Sequence, residues 1–216
     1  SDMGDAEKQI VRLSDNMPGL ITPGVWNGQV FSLNSSIYDY LVALDPTTKT
    51  LIPVLATKWS SDDGKTWIIN LREDVTFHDG SAFTSEDVKF TIERTQDPSL
   101  GHSKKEDFAS VVSIEILDDY SLKIVLDKVR PTFMFQLTDF NMAMLSSEYD
   151  YNKFGETQPM GTGAFKVKSL ISKESALLVK NEEYWDEGKP YIDELHIYFN
   201  SDPEVSLAML LNDKVD

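Results

Sequence analysis

Between Leu51 and Leu126 the chain is written in short alternating segments separated by Asp-Gly and Asp-Asp turns, and few architectures accommodate that pattern. Trp59 to Trp67 reads as a turn between two strands. Asp62-Asp63-Gly64 supplies the residue tolerant of positive φ, and a tryptophan flanks each side. Val75-Thr76-Phe77-His78-Asp79-Gly80 repeats the strand-then-turn pattern, and Ser113–Leu117 and Leu122–Leu126 flank Asp118-Asp119-Tyr120-Ser121 as a further hairpin. Helical spacing is confined to short stretches. Thr84 is placed as the N-cap of a helix carrying Val88, Ile92 and Thr95, which Asp97-Pro98 stops. Ser35 or Ser36 caps a helix with Ile37, Tyr40, Leu41 and Leu44 on one face, and Pro131 opens an apolar helix through Leu137. Pro203 stands at N1 of an amphipathic helix from Val205 to Leu211. Lys8–Leu13, Ala164–Val167, Ala176–Val179 and Tyr191–Phe199 read as strands, the last with Leu195, Ile197 and Phe199 on one face; Phe140–Leu145 reads as a buried strand or extended run. Hairpins interleaved with a few short helices define a mixed α/β or α+β fold.

Charge and cysteine usage narrow the chemistry. Against 20 Lys and Arg stand 36 Asp and Glu, so 20 − 36 gives −16. Such a field repels polyanions, which disfavours nucleic acid and direct adsorption to anionic lipid. With no cysteine, disulfides, thiolate zinc sites, iron–sulfur clusters and cysteine nucleophiles are excluded. No apolar run approaches the ~20 residues that span a bilayer.

Few motifs carry reactive chemistry. Gly161-Thr162-Gly163-Ala164-Phe165-Lys166 half-matches a dinucleotide loop, but a strand follows where a helix N-terminus is needed, so it reads as a tight turn. His78, His102 and His196 lack zinc-ligand spacing, and His78 is assigned a local hydrogen-bonding role. The pairs Asp62-Asp63, Asp118-Asp119 and Glu182-Glu183 would serve an acid-base hydrolase only by converging in a cleft; each lies instead in a turn or at a strand edge. Trp59 and Trp67 staple a hairpin to the core. Trp26 differs, because it belongs to an apolar Gly/Pro-rich loop, Asp15 to Asn27, and loops shed apolar bulk unless it packs or binds something.

Taken in order, several strings resemble the family 5 extracellular solute-binding proteins, which include the oligopeptide-, dipeptide- and nickel-binding components of ABC importers. They are Ile37-Tyr38-Asp39-Tyr40-Leu41-Val42, Leu51-Ile52-Pro53-Val54-Leu55-Ala56 with Trp59, Asp63-Gly64-Lys65-Thr66-Trp67, Leu71 to Gly80, Phe83-Thr84-Ser85-Glu86-Asp87-Val88, Met160 to Phe165, Lys180 to Trp185, and Leu210 to Asp216. In the last, Asp213 stands where the family has glycine. The resemblance covers residues 8 to 216.

The resemblance implies a periplasmic-binding-protein type II-like lobe, one half of a clamshell that closes on a solute. Residues 1–216 would be the N-terminal lobe, its main sheet built from about 1–37 and 156–216, with an inserted hairpin-rich subdomain at about 38–155 and the second lobe absent. An edge of the main sheet is then expected to be unpaired. The implied partners are a peptide-like solute and ABC permease subunits, not nucleic acid. The protein is expected to be a monomer without cofactor or bound metal, not an enzyme, and extracytoplasmic, in the periplasm or lipid-anchored. By alignment, Asn16, Met17, Trp26, Asp139, Phe140 and Asn141 would form the lobe-one wall. Asp139 would pair with a ligand's amino terminus and Asn141 with its backbone, while Met17, Trp26 and Phe140 would line a side-chain pocket. A nickel or metal-chelate ligand is the alternative: His102 falls in a plausible loop, although no arginine in the Asp139-to-Met142 stretch would pair with an anionic chelator.

Overall fold

The computed structural model describes residues 8–16, 21–24 and 31–216. In chain order these form β1 (Ile10–Asp15), α1 (Phe31–Ile37), β2 (Val42–Leu44), β3 (Leu51–Pro53), β4 (Ala56–Ser60), β5 (Thr66–Leu71), α2 (Ser85–Gln96) and α3 (Lys105–Phe108). There follow β6 (Val111–Asp118), β7 (Ser121–Leu126), two 3-10 turns (Phe133–Thr138 and Phe140–Met142), α4 (Tyr151–Phe154), β8 (Phe165–Ile171), β9 (Ser175–Lys180), β10 (Glu194–Phe199) and α5 (Pro203–Leu211). Two four-stranded sheets dominate, of order β1-β10-β9-β8 and β4-β5-β7-β6.

In the first sheet β1 runs parallel to β10, from Ile10 opposite Glu194 to Asp15 opposite Phe199, and the other pairs are antiparallel. Alternation on β10 sends Leu195, Ile197 and Phe199 to one face, where Ala176, Leu178 and Phe165 join them. Leu33 and Ile37 of α1 cover that face. Ala143, Leu145 and Tyr151 pack into the same cluster, although the sequence reading puts them in the inserted subdomain.

The second sheet is antiparallel throughout. Trp67, Ile69 and Leu71 of β5 and Leu122, Ile124 and Leu126 of β7 share its inner face with Val88 and Ile92 of α2. Each such side chain, fully buried, contributes about 1.5–3 kcal/mol. The turn before β5 forms as its chemistry dictates: the amides of Lys65 and Thr66 both donate to Asp63 Oδ1 at 2.7 Å, and Gly64 takes φ +66°. Helix α2 starts at Thr84, whose amide donates to Asp87 Oδ2 at 2.8 Å; Asp87 Oδ1 takes the Ser147 amide, also at 2.8 Å.

Tertiary partners overrule local pattern at four places. The helix expected through Leu44 ends at Ile37, because Tyr40 and Leu41 offer their carbonyls to Leu55, Val54 and Ala56 instead. The run Phe140–Leu145 is a 3-10 turn followed by an extended segment, which is held by Asp39 O to Met144 N and by Thr91 Oγ1 to Leu145 N. His78 is not satisfied locally: its Nε2 pairs with Gly163 O at 2.9 Å, 85 residues away in the chain. Helix α5 is not amphipathic in this structure, since none of its residues is buried.

The chain passes from one core cluster to the other at Tyr38 to Leu41, Tyr38 lying in the first and Leu41 in the second. Gly161 and Gly163 lie against the end of α1, where an added Cβ would come within 2.4 Å of Ile37 O at Gly161 and 2.5 Å of Ile37 C at Gly163. The Asp39 carboxylate receives Thr162 Oγ1–H at 3.1 Å, Tyr184 O–H at 3.0 Å and Trp185 Nε1–H at 3.0 Å. The strings that carry the family resemblance are thus joined in space: the Tyr38-Asp39 string meets the Gly161-Thr162-Gly163 turn and the Tyr184-Trp185 pair.

Candidate functional site

Open α/β sheets bind ligands beyond the carboxyl ends of their parallel strands, where loops diverge. Here that place is the end of β1 and β10. Asn16 follows β1 directly, is exposed, and donates its amide to Asp15 Oδ1 at 2.7 Å. Asp15 also receives the Ser32 hydroxyl of α1 through a very short hydrogen bond. Asn16, Asn200, Ser201, Asp202 and Ser206 border a cavity of about 300 Å³. Asp202 caps α5, accepting the Glu204 amide at 2.8 Å.

Residues 21–24, in the segment after β1, are anchored. Ile21 and Thr22 donate their amides to the Glu156 carboxylate at 2.7 and 2.9 Å. Gly24 rests on His102: a Cβ there would sit 1.8 Å from Nε2, and the Gly24 carbonyl takes the Ser103 amide at 3.0 Å. His102 accepts the Lys104 amide at Nδ1, 3.1 Å, and burial, helped by Arg94, lowers its pKa to about 4. It is therefore a neutral structural imidazole at ordinary pH.

Lys104 continues this chain of contacts. Its ammonium lies 2.5 Å from Asp107 and 3.0 Å from Asp139. Burial works against the charge, yet the two carboxylates hold the proton above the usual lysine range. Asp139 caps the Phe140–Met142 turn, its Oδ1 accepting Asn141 N–H at 2.9 Å and Asn141 Nδ2–H at 3.0 Å. Burial alone would raise the Asp139 pKa. Asn141 and Lys104 outweigh it and keep the carboxylate below its ordinary range.

The expected wall residues thus fall into separate groups. Asp139, Phe140 and Asn141 form one turn, with Asn141 buried and Asp139 already paired with a cation. Asn16 belongs with the ends of β1 and β10, and among the described residues no hydrogen bond joins it to the Asp139 turn. Met17 and Trp26 lie outside the described residues. The sequence reading missed Lys104 as Asp139's partner, because an ion pair spanning that much chain leaves no local signature. The Asp39 network was equally invisible.

The acidic groups singled out in the sequence are engaged in local turns. Asp63 is tied up by backbone amides that lower its pKa to about 2, and Asp118 caps its own hairpin turn. Among the described residues no group of three or more His, Asp or Glu is placed to hold a metal, and no helix is long and apolar enough to cross a membrane. The site offers hydrogen-bond donors and acceptors on fixed elements, which suits binding.

Geometry and comparison agree on the class: a mixed α/β fold of the periplasmic-binding-protein type II-like kind. Residues 50–216 match the sequence profile of the bacterial extracellular solute-binding proteins, family 5 Middle, and the chain belongs to that family. It is 28% identical over 212 residues to the peptide transport periplasmic protein SapA of Salmonella typhimurium, covering 87% of this chain and 38% of SapA. It is 31% identical over 179 residues to the glutathione-binding protein GsiB of Escherichia coli O1:K1, covering 81% of this chain and 35% of GsiB. The structure of NikZ from Campylobacter jejuni in complex with Ni(L-His) superposes with a TM-score of 0.84 at 29% identity, over 97% of this chain and 42% of NikZ. The chain spans well under half the length of these relatives.

Proposed function

We propose that this chain forms one wall of the solute-binding cleft of an ABC importer's extracytoplasmic binding component. The wall is the first of two lobes, which take a peptide-like solute between them and deliver it to a membrane permease without chemical change. One observation supports the reading: the segment 21–24 after β1 and the Asp139–Met142 turn are both fixed to the stretch His102–Lys104, the first through the Gly24 carbonyl on the Ser103 amide and the second through Lys104 on Asp139. Rigidly held backbone groups of this kind can recognise an extended peptide main chain.

Asp139 takes a different role from the one its charge suggests. Lys104 already neutralises it, so it shapes the turn, and a ligand ammonium would have to compete with that lysine. The metal-chelate alternative gains nothing from His102, whose Nδ1 is committed to a backbone amide.

The test is titration of isotope-labelled protein with tri- to pentapeptides. A complete site with micromolar affinity corresponds to about −8 kcal/mol; half the contacts leave about −4, near millimolar or weaker once rigid-body entropy is counted. We expect shifts at Asn16 and Asn141 at millimolar peptide. Micromolar saturation, peptide cleavage, or shifts confined to the β4-β5-β7-β6 sheet would refute the proposal.

A further inference from the structure

Arg94, in the last turn of α2, is held almost out of water, with 8% of its surface exposed. Among the described residues the arginines that form ion pairs are Arg12 and Arg72, and Arg94 has no carboxylate partner. A guanidinium offers five N–H donors. Here one of them is used, from Nη2 to Asn152 Oδ1 at 3.3 Å, and Nε is sealed from solvent without an acceptor. Buried charges are ordinarily paired, because unmet donors of a charged group are costly. Burial lowers the Arg94 pKa, and Asp97 opposes that shift without forming an ion pair. The negative end of α2 favours a cation at this position, but a helix dipole fills no donor.

Arg94 lines a cavity of about 370 Å³ between α2 and residues 149–152. That volume is near the lower end of the range for small-ligand pockets. Its apolar wall is formed by Phe90, Leu100 and Tyr149. The other charges around it are negative: Glu93, Asp97 and Asp150. Asp97 Oδ1 accepts the Ser99 amide at 2.8 Å and Asp150 Oδ1 the Lys153 amide at 3.1 Å, which leaves each carboxylate a second oxygen. Neither Asn16 nor the Asp139 turn borders this cavity.

A simple anion here would meet three carboxylates, and a simple cation would meet a buried guanidinium. A solute with carboxylate and ammonium on one carbon satisfies both. We propose that the cavity is a second binding site, separate from the cleft wall, for the zwitterion of an apolar α-amino acid. Its carboxylate takes the unused donors of Arg94, its ammonium faces Glu93, Asp97 and Asp150, and its side chain packs on Phe90, Leu100 and Tyr149.

The probe is L-leucine, titrated into the isotope-labelled 216-residue protein. Saturable shifts are expected at the Arg94 Nε–H and at the Asn152 side-chain amide. Isocaproate lacks the ammonium and leucinamide lacks the carboxylate, so each should bind about ten-fold more weakly than leucine or worse. Glu93→Gln, at an exposed position of α2, should weaken leucine binding several-fold and leave the urea midpoint unchanged. Arg94→Lys keeps the charge but loses the planar fork, and should weaken binding about ten-fold. Should that variant be unstable, Glu93→Gln and the two analogues still decide. No shift at Arg94 in tens of millimolar leucine, equal binding of the analogues, or leucine shifts confined to Asn16 and Asn141 would overturn the proposal. Peptide binding at the cleft wall is reported by Asn16 and Asn141, so the two readings fail separately.

Discussion

The carboxylate of Asp39 receives the indole N–H of Trp185 at 3.0 Å, and through it the chain between the two sheets is fastened to the segment that follows β9. Tyr184 and Thr162 donate to the same carboxylate, and Arg72 lies over the Trp185 ring at 4.3 Å. Among the described residues no cation is paired with Asp39. Burial therefore raises its pKa, with Trp185, Tyr184 and Thr162 resisting.

Asp39→Ala leaves the buried Thr162 and the half-buried Tyr184 and Trp185 without their acceptor and should destabilise the protein by about 3 kcal/mol, while Asp39→Asn, which keeps an acceptor and removes the charge, should cost about 1 kcal/mol. Urea denaturation of the two variants measures this. Equal losses would mean that shape, rather than hydrogen bonding, holds the junction.

Histidine burial predicts a pH dependence. His78 has its pKa lowered to about 4, chiefly by burial, and its ring joins Gly163 O to the Gly161 amide. The folded state disfavours the charged ring, so the unfolded chain binds more protons between about pH 6.5 and 4. Stability is full above the upper limit and falls as pH drops through that window. His78 contributes on the order of 1–3 kcal/mol to this change. Asp39 acts in the opposite sense: its contribution is present at low pH and is lost as pH rises through its raised value. Comparing urea midpoints at neutral and mildly acid pH for the protein and His78→Gln tests the assignment, because the variant should show a flatter profile.

The Gly161-Thr162-Gly163 turn is a steric requirement. An added Cβ at Gly161 or Gly163 meets the backbone of Ile37, which cannot rotate away. Gly161→Ala and Gly163→Ala should each cost about 3 kcal/mol or more. Gly80→Ala meets no neighbour, although its φ is +89°, and should cost about 1 kcal/mol. Thermal denaturation should rank the three in that order.

Lys104 is expected to govern Asp139. Replacing it with methionine removes the cation at 3.0 Å, so the Asp139 pKa should rise toward or above its ordinary range. The stability cost should stay near 1 kcal/mol, because the pair is only partly buried. Carboxyl chemical shifts followed through a pH titration report the first effect directly. An unchanged Asp139 would show that the Asn141 amides alone set its acidity.

The hairpins around Asp63-Gly64 and Asp118, helix α2 from its Thr84 start, and the one-faced pattern of β10 could be read from the chain, because short-range turn chemistry, capping and alternation fix them. The ordered strings also disclosed the family. Contacts between residues far apart in the chain had no such trace. Tyr40 and Leu41 left their helical pattern to accept the amides of residues 54–56; His78 reached Gly163; Lys104 neutralised Asp139; and α5 emerged with its leucines uncovered. Local sequence sets what a segment prefers when alone. Which buried donor finds which acceptor depends on how the two sheets come together, and that was decided only in three dimensions.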